Sequence, residues 1–377
     1  MRVLMVSKAV VVGAYQRKLE ELAALPGVDL TVIVPPAWRE GTTTHRVEYA
    51  YTRGYRLVVD PILFNGRHHL HIYPKLARHF TPPPDVLHVD EEPYNAVTAH
   101  ALWLARQRRV PALFFTWQNL LRRYPPPFRQ VELFSYRSTG YAIAGNHEAA
   151  EVLRAKGYRG PVAVIPQFGV DPDVFRPLAA LKSAPFRIGY LGRLVPGKGV
   201  DTLLRAGQGL GGDWRMEIRG DGESKAALVA LAQSLGIAER VEFAPYAPSV
   251  EMPVYLNRLD ALVLPSRTTA AWKEQFGRIL IEAMACGVPV VGSSSGEIPN
   301  VIGDAGLVFP EDDAAALRAH LAHLMGDSAL AASLGQRGRA RVLAHYTHAQ
   351  VAAATYAIYQ ELVGLPTHTT TARGARP

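Results

Sequence analysis

The chain carries one cysteine, Cys286. A lone cysteine excludes an internal disulfide, and its place in an apolar stretch favours a buried thiol over a nucleophile. No apolar run approaches the ~20 residues that cross a bilayer. The apolar start, Met1 to Ala14, is interrupted by Lys8, so it reads as a first strand over Val3 to Ser7 and then a loop, not as a secretory leader. Internal repeats are absent. The histidines near His68, His69 and His71 lack metal-ligand spacing, so neither a resident metal nor another cofactor is expected. Nothing points to nucleic acid. Together these absences favour a cytoplasmic chain, with peripheral attachment at the inner face of the cell membrane left open.

What is present suffices for two cores. A chain of 377 residues that is 48% hydrophobic fits two domains of ordinary size. Apolar strand-like runs alternate with helical patterns: Val3 to Ser7, Leu30 to Val34, Val86 to Val89, Ala112 to Thr116, Tyr141 to Ala144 and Val162 to Pro166. They resume at Arg187 to Leu191, Arg215 to Arg219, Val241 to Phe243, Ala261 to Leu264 and Val288 to Val291. Such alternation predicts an α/β protein with parallel sheets, in two doubly wound Rossmann-like domains facing an interdomain cleft. Periodicity lapses between Phe175 and Pro185, so the domains are expected over 1–180 and 181–346. A last helix at 347–364 should complete the first domain, and a disordered tail should follow at 365–377.

Positive charge is uneven. Of the net +8, +7 falls before Leu178. Two stretches concentrate it, Arg67 to Phe80 and Trp117 to Arg129, where basic residues mix with Leu, Tyr, Trp and Phe. That mixture suits an anionic membrane surface or a phosphate-bearing acceptor, and equally a solvated basic face.

The segment Glu274-Gln-Phe-Gly-Arg-Ile-Leu-Ile-Glu282, continuing as Ala-Met-Ala-Cys-Gly-Val-Pro-Val-Val291, places two carboxylates eight residues apart on what reads as an apolar helix. They would stand about 12 Å apart along its axis, a spacing for an elongated ligand held at both ends. Between Ile279 and Cys286 every residue but Glu282 is apolar, so a polar partner must face Glu282. Gly277 leaves room for a ligand at the helix start, where the dipole favours phosphate. Upstream, Arg187-Ile-Gly-Tyr-Leu-Gly-Arg-Leu-Val-Pro-Gly-Lys-Gly199 reads as strand, loop and helix, with Arg193 and Lys198 at the turn as an anion site. The same loop nearly matches a phosphate-binding P-loop, but Gly199 stands where a hydroxyl would hold magnesium.

These motifs resemble the signature of the retaining GT-B glycosyltransferases of the GT4 family, most closely over Val162 to Gly306. The resemblance implies a GT-B fold and metal-independent transfer of a hexose from a nucleoside-diphosphate sugar to an acceptor hydroxyl, in cell-envelope or exopolysaccharide glycan synthesis. It assigns Arg193 and Lys198 to the departing diphosphate, Glu274 to the donor sugar and Glu282 to the ribose. Gly13, Gly192, Pro265, Ser266, Gln275, Phe276 and Gly277 complete the donor-binding set. The acceptor is a glycan, lipid-linked or small-molecule hydroxyl. Asp90, with Glu91 and Glu92, follows a strand and is the candidate for holding or deprotonating that hydroxyl.

The first half departs from the family pattern. Only Gly13 stands where a double-glycine loop is usual. Thr116-Trp117-Gln118 replaces a T-x-H, and Gln167-Phe168 replaces the Asn of V-I-x-N-G-V-D. Asp171-Pro-Asp173 formally matches a manganese-binding D-x-D but reads as a turn. Gly220-Asp-Gly222 is either a nucleotide-side element or a plain turn. A nucleotide-sugar epimerase, a phosphorylase-like enzyme with a lysine-bound pyridoxal phosphate, and a non-catalytic sugar-nucleotide binder are the alternatives.

Overall fold

A computed structural model describes residues 1–41, 43–178, 184–246 and 251–364. The chain divides into two compact units. Unit 1 is Met1–Gly169 together with the segment beginning at His348, and unit 2 is Val170–Thr347. The first boundary thus lies before the expected 180/181, which falls among residues outside the described ones, as does the expected tail at 365–377.

Unit 1 contains β1 (Arg2–Val6), β2 (Asp29–Val34), β3 (Ala37–Glu40), β4 (Thr43–Arg46), β5 (Arg56–Val59), β6 (Val86–Val89), β7 (Ala112–Thr116), β8 (Tyr141–Ala144) and β9 (Val162–Val164). Seven of these form a parallel sheet in the order β5-β2-β1-β6-β7-β8-β9, while β3 and β4 pair antiparallel on their own. The central strands are continuous apolar runs, as expected where helices cover both faces. The helix His348–Leu362 packs on Arg17–Ala23, and its Tyr359 hydroxyl lies 2.6 Å from Nδ1 of buried His88.

Unit 2 contains β10 (Phe186–Leu191), β11 (Trp214–Arg219), β12 (Val241–Ala244), β13 (Ala261–Leu264), β14 (Val290–Ser293) and β15 (Leu307–Phe309), all parallel in the order β12-β11-β10-β13-β14-β15. Each sheet has a point where the winding direction reverses, between β1 and β6 in unit 1 and between β10 and β13 in unit 2. In open α/β sheets, ligands bind at the carboxyl ends of the strands at that point. The loops of interest are therefore those after β1 and β6, and those after β10 and β13.

One expected element differs. The helix after β13 spans only Arg278–Ala285, with Gly277 as its N-cap in the left-handed region at φ 79°. Glu274 precedes it in a loop, so the two carboxylates do not share a helix and the axial 12 Å spacing does not apply. Gly277 ends the loop because a side-chain-bearing residue rarely adopts that backbone.

Candidate active site

The loop after β10 turns through a short helical turn, Pro196–Lys198, into Gly199 at φ 63° and then the helix Val200–Gly207. Gly199 passes so close to the loop after β13 that a Cβ there would lie 1.9 Å from the Pro265 carbonyl oxygen. This contact brings Lys198 to Glu274. Glu274 Oε2 accepts from Lys198 Nζ at 2.6 Å and from Ser266 Oγ at 2.8 Å. Ser266 is fully buried, and its carbonyl accepts from Ser293 Oγ. The Glu274 backbone is gripped from the other side, where Glu297 N donates to its carbonyl at 3.2 Å. Gly296, at φ 53°, allows that approach, since a Cβ there would stand 2.0 Å from the same oxygen.

Lys198, Glu274, Gly277, Arg278 and Glu282 line one cavity of about 330 Å³, within the range of small-ligand sites. Gly277 and Arg278, at the start of the helix Arg278–Ala285, put its N-terminus at the cavity, and Leu280 N donates back to the Gly277 carbonyl at 2.8 Å. Burial pushes the Glu282 carboxyl above its usual range, opposed by Arg278, whose Nε donates to Glu282 Oε1 at 2.6 Å. Arg278 is the polar partner that the apolar helix required. Its i, i+4 placement was readable in the sequence as a helical ion pair.

Other expected donor residues fare differently. Arg193 is exposed and does not line the cavity; its carbonyl accepts from Tyr190 Oη at 2.9 Å. Gly192 and Leu194 are approached by Gly220 and Gly222, whose Cβ atoms would sit 1.9 and 2.3 Å from the two carbonyl oxygens. Close backbone packing thus accounts for the Gly-x-Gly. Pro265 contributes its carbonyl to the contact with Gly199. Phe276 is buried, its ring meeting Tyr346 edge-on at 5.7 Å, and Gln275 is half-buried. Asp171 Oδ1 accepts from Asp173 N at 3.0 Å, a local turn. Among the described residues, no group of three or more His, Cys, Asp and Glu side chains is arranged to hold a metal ion. Burial, with Glu282 nearby, pushes the Cys286 thiol up to about 12.

In unit 1 the acidic run Asp90 to Glu92 follows β6, facing the loop after β1. Each acid is already engaged. Asp90 accepts from Ser7 Oγ at 2.7 Å and from Gln167 Nε2 at 3.0 Å. Glu91 accepts from Lys8 N at 3.0 Å, pairs with the Lys8 ammonium and lies 3.7 Å from His71 Nε2. Burial would raise its pKa, but Lys8 and His71 outweigh burial and hold it at about 2. A carboxylate so stabilised is a poor base. Glu92 accepts from Thr116 Oγ1 at 2.5 Å and from Trp117 N at 2.8 Å, yet burial still lifts it above its usual range. Gly13 is no open anion site, because its N–H donates to Glu48 Oε2 at 2.7 Å. Two of the unusual residues meet: Trp117 Nε1 donates to Gln167 Oε1 at 3.0 Å, so both join the Asp90 network.

The family model described as glycosyl transferases group 1 matches residues 174–341, and that of the glycosyl transferase 4-like domain matches 12–167. The chain belongs to the GT4-like, group 1 glycosyltransferases. Among curated relatives, a D-inositol 3-phosphate glycosyltransferase of Streptomyces avermitilis is 31% identical over 300 residues, 70% of this chain and 63% of the relative. A GDP-mannose-dependent alpha-(1-6)-phosphatidylinositol monomannoside mannosyltransferase of Mycolicibacterium smegmatis is 36% identical over 183 residues, 46% of this chain and 48% of the relative. The chain thus spans between about half and two thirds of these relatives' lengths. Among solved structures, sucrose-phosphate synthase of Thermosynechococcus elongatus has a TM-score of 0.71 at 20% identity, covering 97% of this chain and 99% of that one. Anabaena HepE in complex with UDP has a TM-score of 0.70 at 17% identity, covering 96% and 100%. At such identities these structures speak for the fold, which is GT-B.

Proposed function

We propose that the chain is a metal-independent retaining glycosyltransferase that moves a hexose from a nucleoside-diphosphate sugar to an acceptor hydroxyl, in the synthesis of cell-envelope or exopolysaccharide glycan. The observation that carries this reading is the unit 2 cavity, which gathers Lys198, Glu274, Glu282 and a helix N-terminus at the switch point of the sheet. Lys198, with Arg193 on the same loop, stabilises the departing diphosphate, the electrostatic contribution that most lowers such a barrier. Lys198, held by Glu274, and Arg193, exposed on the same loop, supply positive charge that supports catalysis without a metal. Glu274 orients the donor sugar and Glu282 holds the ribose. These acids serve opposite ends of the donor, unlike a glycosidase pair flanking one bond.

In the reaction, the bond from the anomeric carbon to the diphosphate breaks and a bond to the acceptor oxygen forms on the same face. The hydroxyl proton passes to Glu92, whose raised pKa is the shift a general base needs, while Asp90 and Glu91 fix the surroundings. Relatives named for GDP-mannose and for inositol phosphate support a nucleotide-sugar donor and a polyol acceptor bearing phosphate, to which the positive charge of unit 1 is suited. The same charge supports attachment to an anionic membrane. Leu63, Phe64, Leu70 and Leu121 are exposed near Arg67, Arg122 and Arg123, and His69 joins the two loops by ring contacts with Tyr124 and Phe128 at 5.5 and 5.2 Å. Among the described residues, no helix is long and apolar enough to cross a membrane. Co-sedimentation with anionic liposomes at low salt checks the attachment, and failure to sediment refutes it.

The deciding experiment screens UDP-, GDP- and ADP-sugars for thermal stabilisation, then assays transfer with the best donor. A ligand at 100 times its dissociation constant adds about 2.7 kcal/mol. Stabilisation by none of them refutes the reading. Isomerised sugar formed from donor alone would mark an epimerase, and binding without turnover a sensor.

A further inference from the structure

Two loops at the unit 2 switch point are tied together around one indole. Trp272 lies between Ser266 and Glu274 and belongs to none of the motifs legible in the sequence. Its backbone is closed into a turn, in which Thr269 N donates to the Trp272 carbonyl at 2.7 Å and Trp272 N donates to Thr269 Oγ1 at 3.0 Å. The turn is anchored at its start. Arg267 N donates to the Gly197 carbonyl at 2.9 Å, and the Arg267 guanidinium bridges Asp201 and Asp312 at 2.7 and 2.8 Å. Thr268 donates to the Glu311 carboxylate through both N and Oγ1, each at 2.6 Å.

The indole so held covers the anion loop. Lys198 Nζ stands 4.5 Å from the ring centroid. At Gly197 a Cβ would come within 2.9 Å of the ring, so glycine there makes room for the indole. A lysine ammonium has three N–H directions on a flexible stem, and on its own it does not hold one orientation. Here Glu274 Oε2 accepts in one direction at 2.6 Å, and the ring face attracts the cation from another side.

We propose that Trp272 is a positioning residue: with Glu274 it fixes the Lys198 ammonium so that the remaining N–H is presented to the diphosphate of a donor in the cavity. The proposal rests on the reading of Lys198 as a diphosphate partner. An aliphatic side chain would fill the same space without attracting the cation, whereas a phenyl ring would keep the attraction.

The test compares Trp272→Leu and Trp272→Phe in the full chain. Reductive methylation with ¹³C-formaldehyde labels the accessible members of the chain's eight lysines, and Lys198→Arg assigns the Lys198 signal. The ring current of Trp272 should displace that signal in the parent, part of the displacement should survive in Trp272→Phe, and none should remain in Trp272→Leu. By calorimetry on unlabelled protein, Trp272→Leu should bind UDP or GDP about tenfold more weakly than the parent, and Trp272→Phe within about threefold. A Lys198 signal unmoved by Trp272→Leu overturns the contact itself. A moved signal with unchanged nucleotide affinity, while Lys198→Ala weakens binding, overturns the positioning role alone. If Lys198→Ala also binds nucleotide normally, the diphosphate reading of Lys198 fails, and the proposal with it.

Discussion

Replacing Glu91 by glutamine separates a structural acid from a reacting one. The side chain is fully buried beside the Lys8 ammonium, with Lys8 N, Asn95 Nδ2 and His71 Nε2 also facing its oxygens. Its pKa falls from an ordinary 4.5 to about 2 in the folded chain, because Lys8 and His71 outweigh the opposing effect of burial. At about 1.4 kcal/mol per pH unit, this corresponds to roughly 3 kcal/mol. Because the folded pKa is the lower one, that stabilisation is complete above pH 4.5 and disappears as pH falls toward 2. Glutamine keeps the shape but removes the charge that Lys8 requires. Glu91→Gln should therefore lose about 3 kcal/mol at pH 7, lowering the melting temperature of unit 1 by roughly 6–12 °C for a unit of this size. The gap between parent and variant should narrow as both are titrated from pH 5 toward pH 2. Calorimetric melts across that range measure it directly. A variant that melts with its parent at pH 7 yet transfers sugar a hundredfold more slowly would make Glu91 a reacting group and refute this reasoning.

Further perturbations address the donor side. Arg193→Ala should lower turnover by about 10²-fold, as when a transition-state charge partner is removed; wild-type rates would return Arg193 to the solvent surface where the structure finds it. Glu282→Ala should chiefly weaken nucleotide binding by calorimetry, and an unchanged affinity would remove its ribose role. Activity should persist in EDTA, whereas a strict requirement for Mn²⁺ would bring Asp171 and Asp173 back into consideration. The pH–rate profile of Glu92→Gln should lose its acidic limb; a profile like the parent's would exclude Glu92 as the base.

Most strands were legible because parallel strands covered on both faces are continuous apolar runs. Val86–Val89, Ala112–Thr116, Tyr141–Ala144 and Ala261–Leu264 match the expected limits residue for residue. The strands that escaped are short, polar or marginal. Ala37–Glu40 ends in two charged residues, Thr43–Arg46 has no apolar residue, Arg56–Val59 is a half-exposed edge, and Leu307–Phe309 has three residues. That the Lys198 and Glu274 loops both follow strands of the second sheet was legible; the direct ion pair between the two side chains was not. Nor was the loss of Glu274 from the helix, because an apolar pattern does not mark where the backbone must turn left-handed unless the glycine is given that weight. Trp272 was invisible for a different reason. Its importance lies in which loop it touches, 74 positions upstream at Lys198, and no local pattern encodes that.

The helix His348–Leu362 carries a consequence for how the chain is made. Its Val351, Ile358 and Tyr359 are core residues of unit 1, so on the ribosome the first half emerges without the last piece of its own interior. Every residue of unit 2 leaves the exit tunnel earlier. Until that helix emerges, His88 has no Tyr359 to meet, and the interior of the first unit stays open at the face the helix covers.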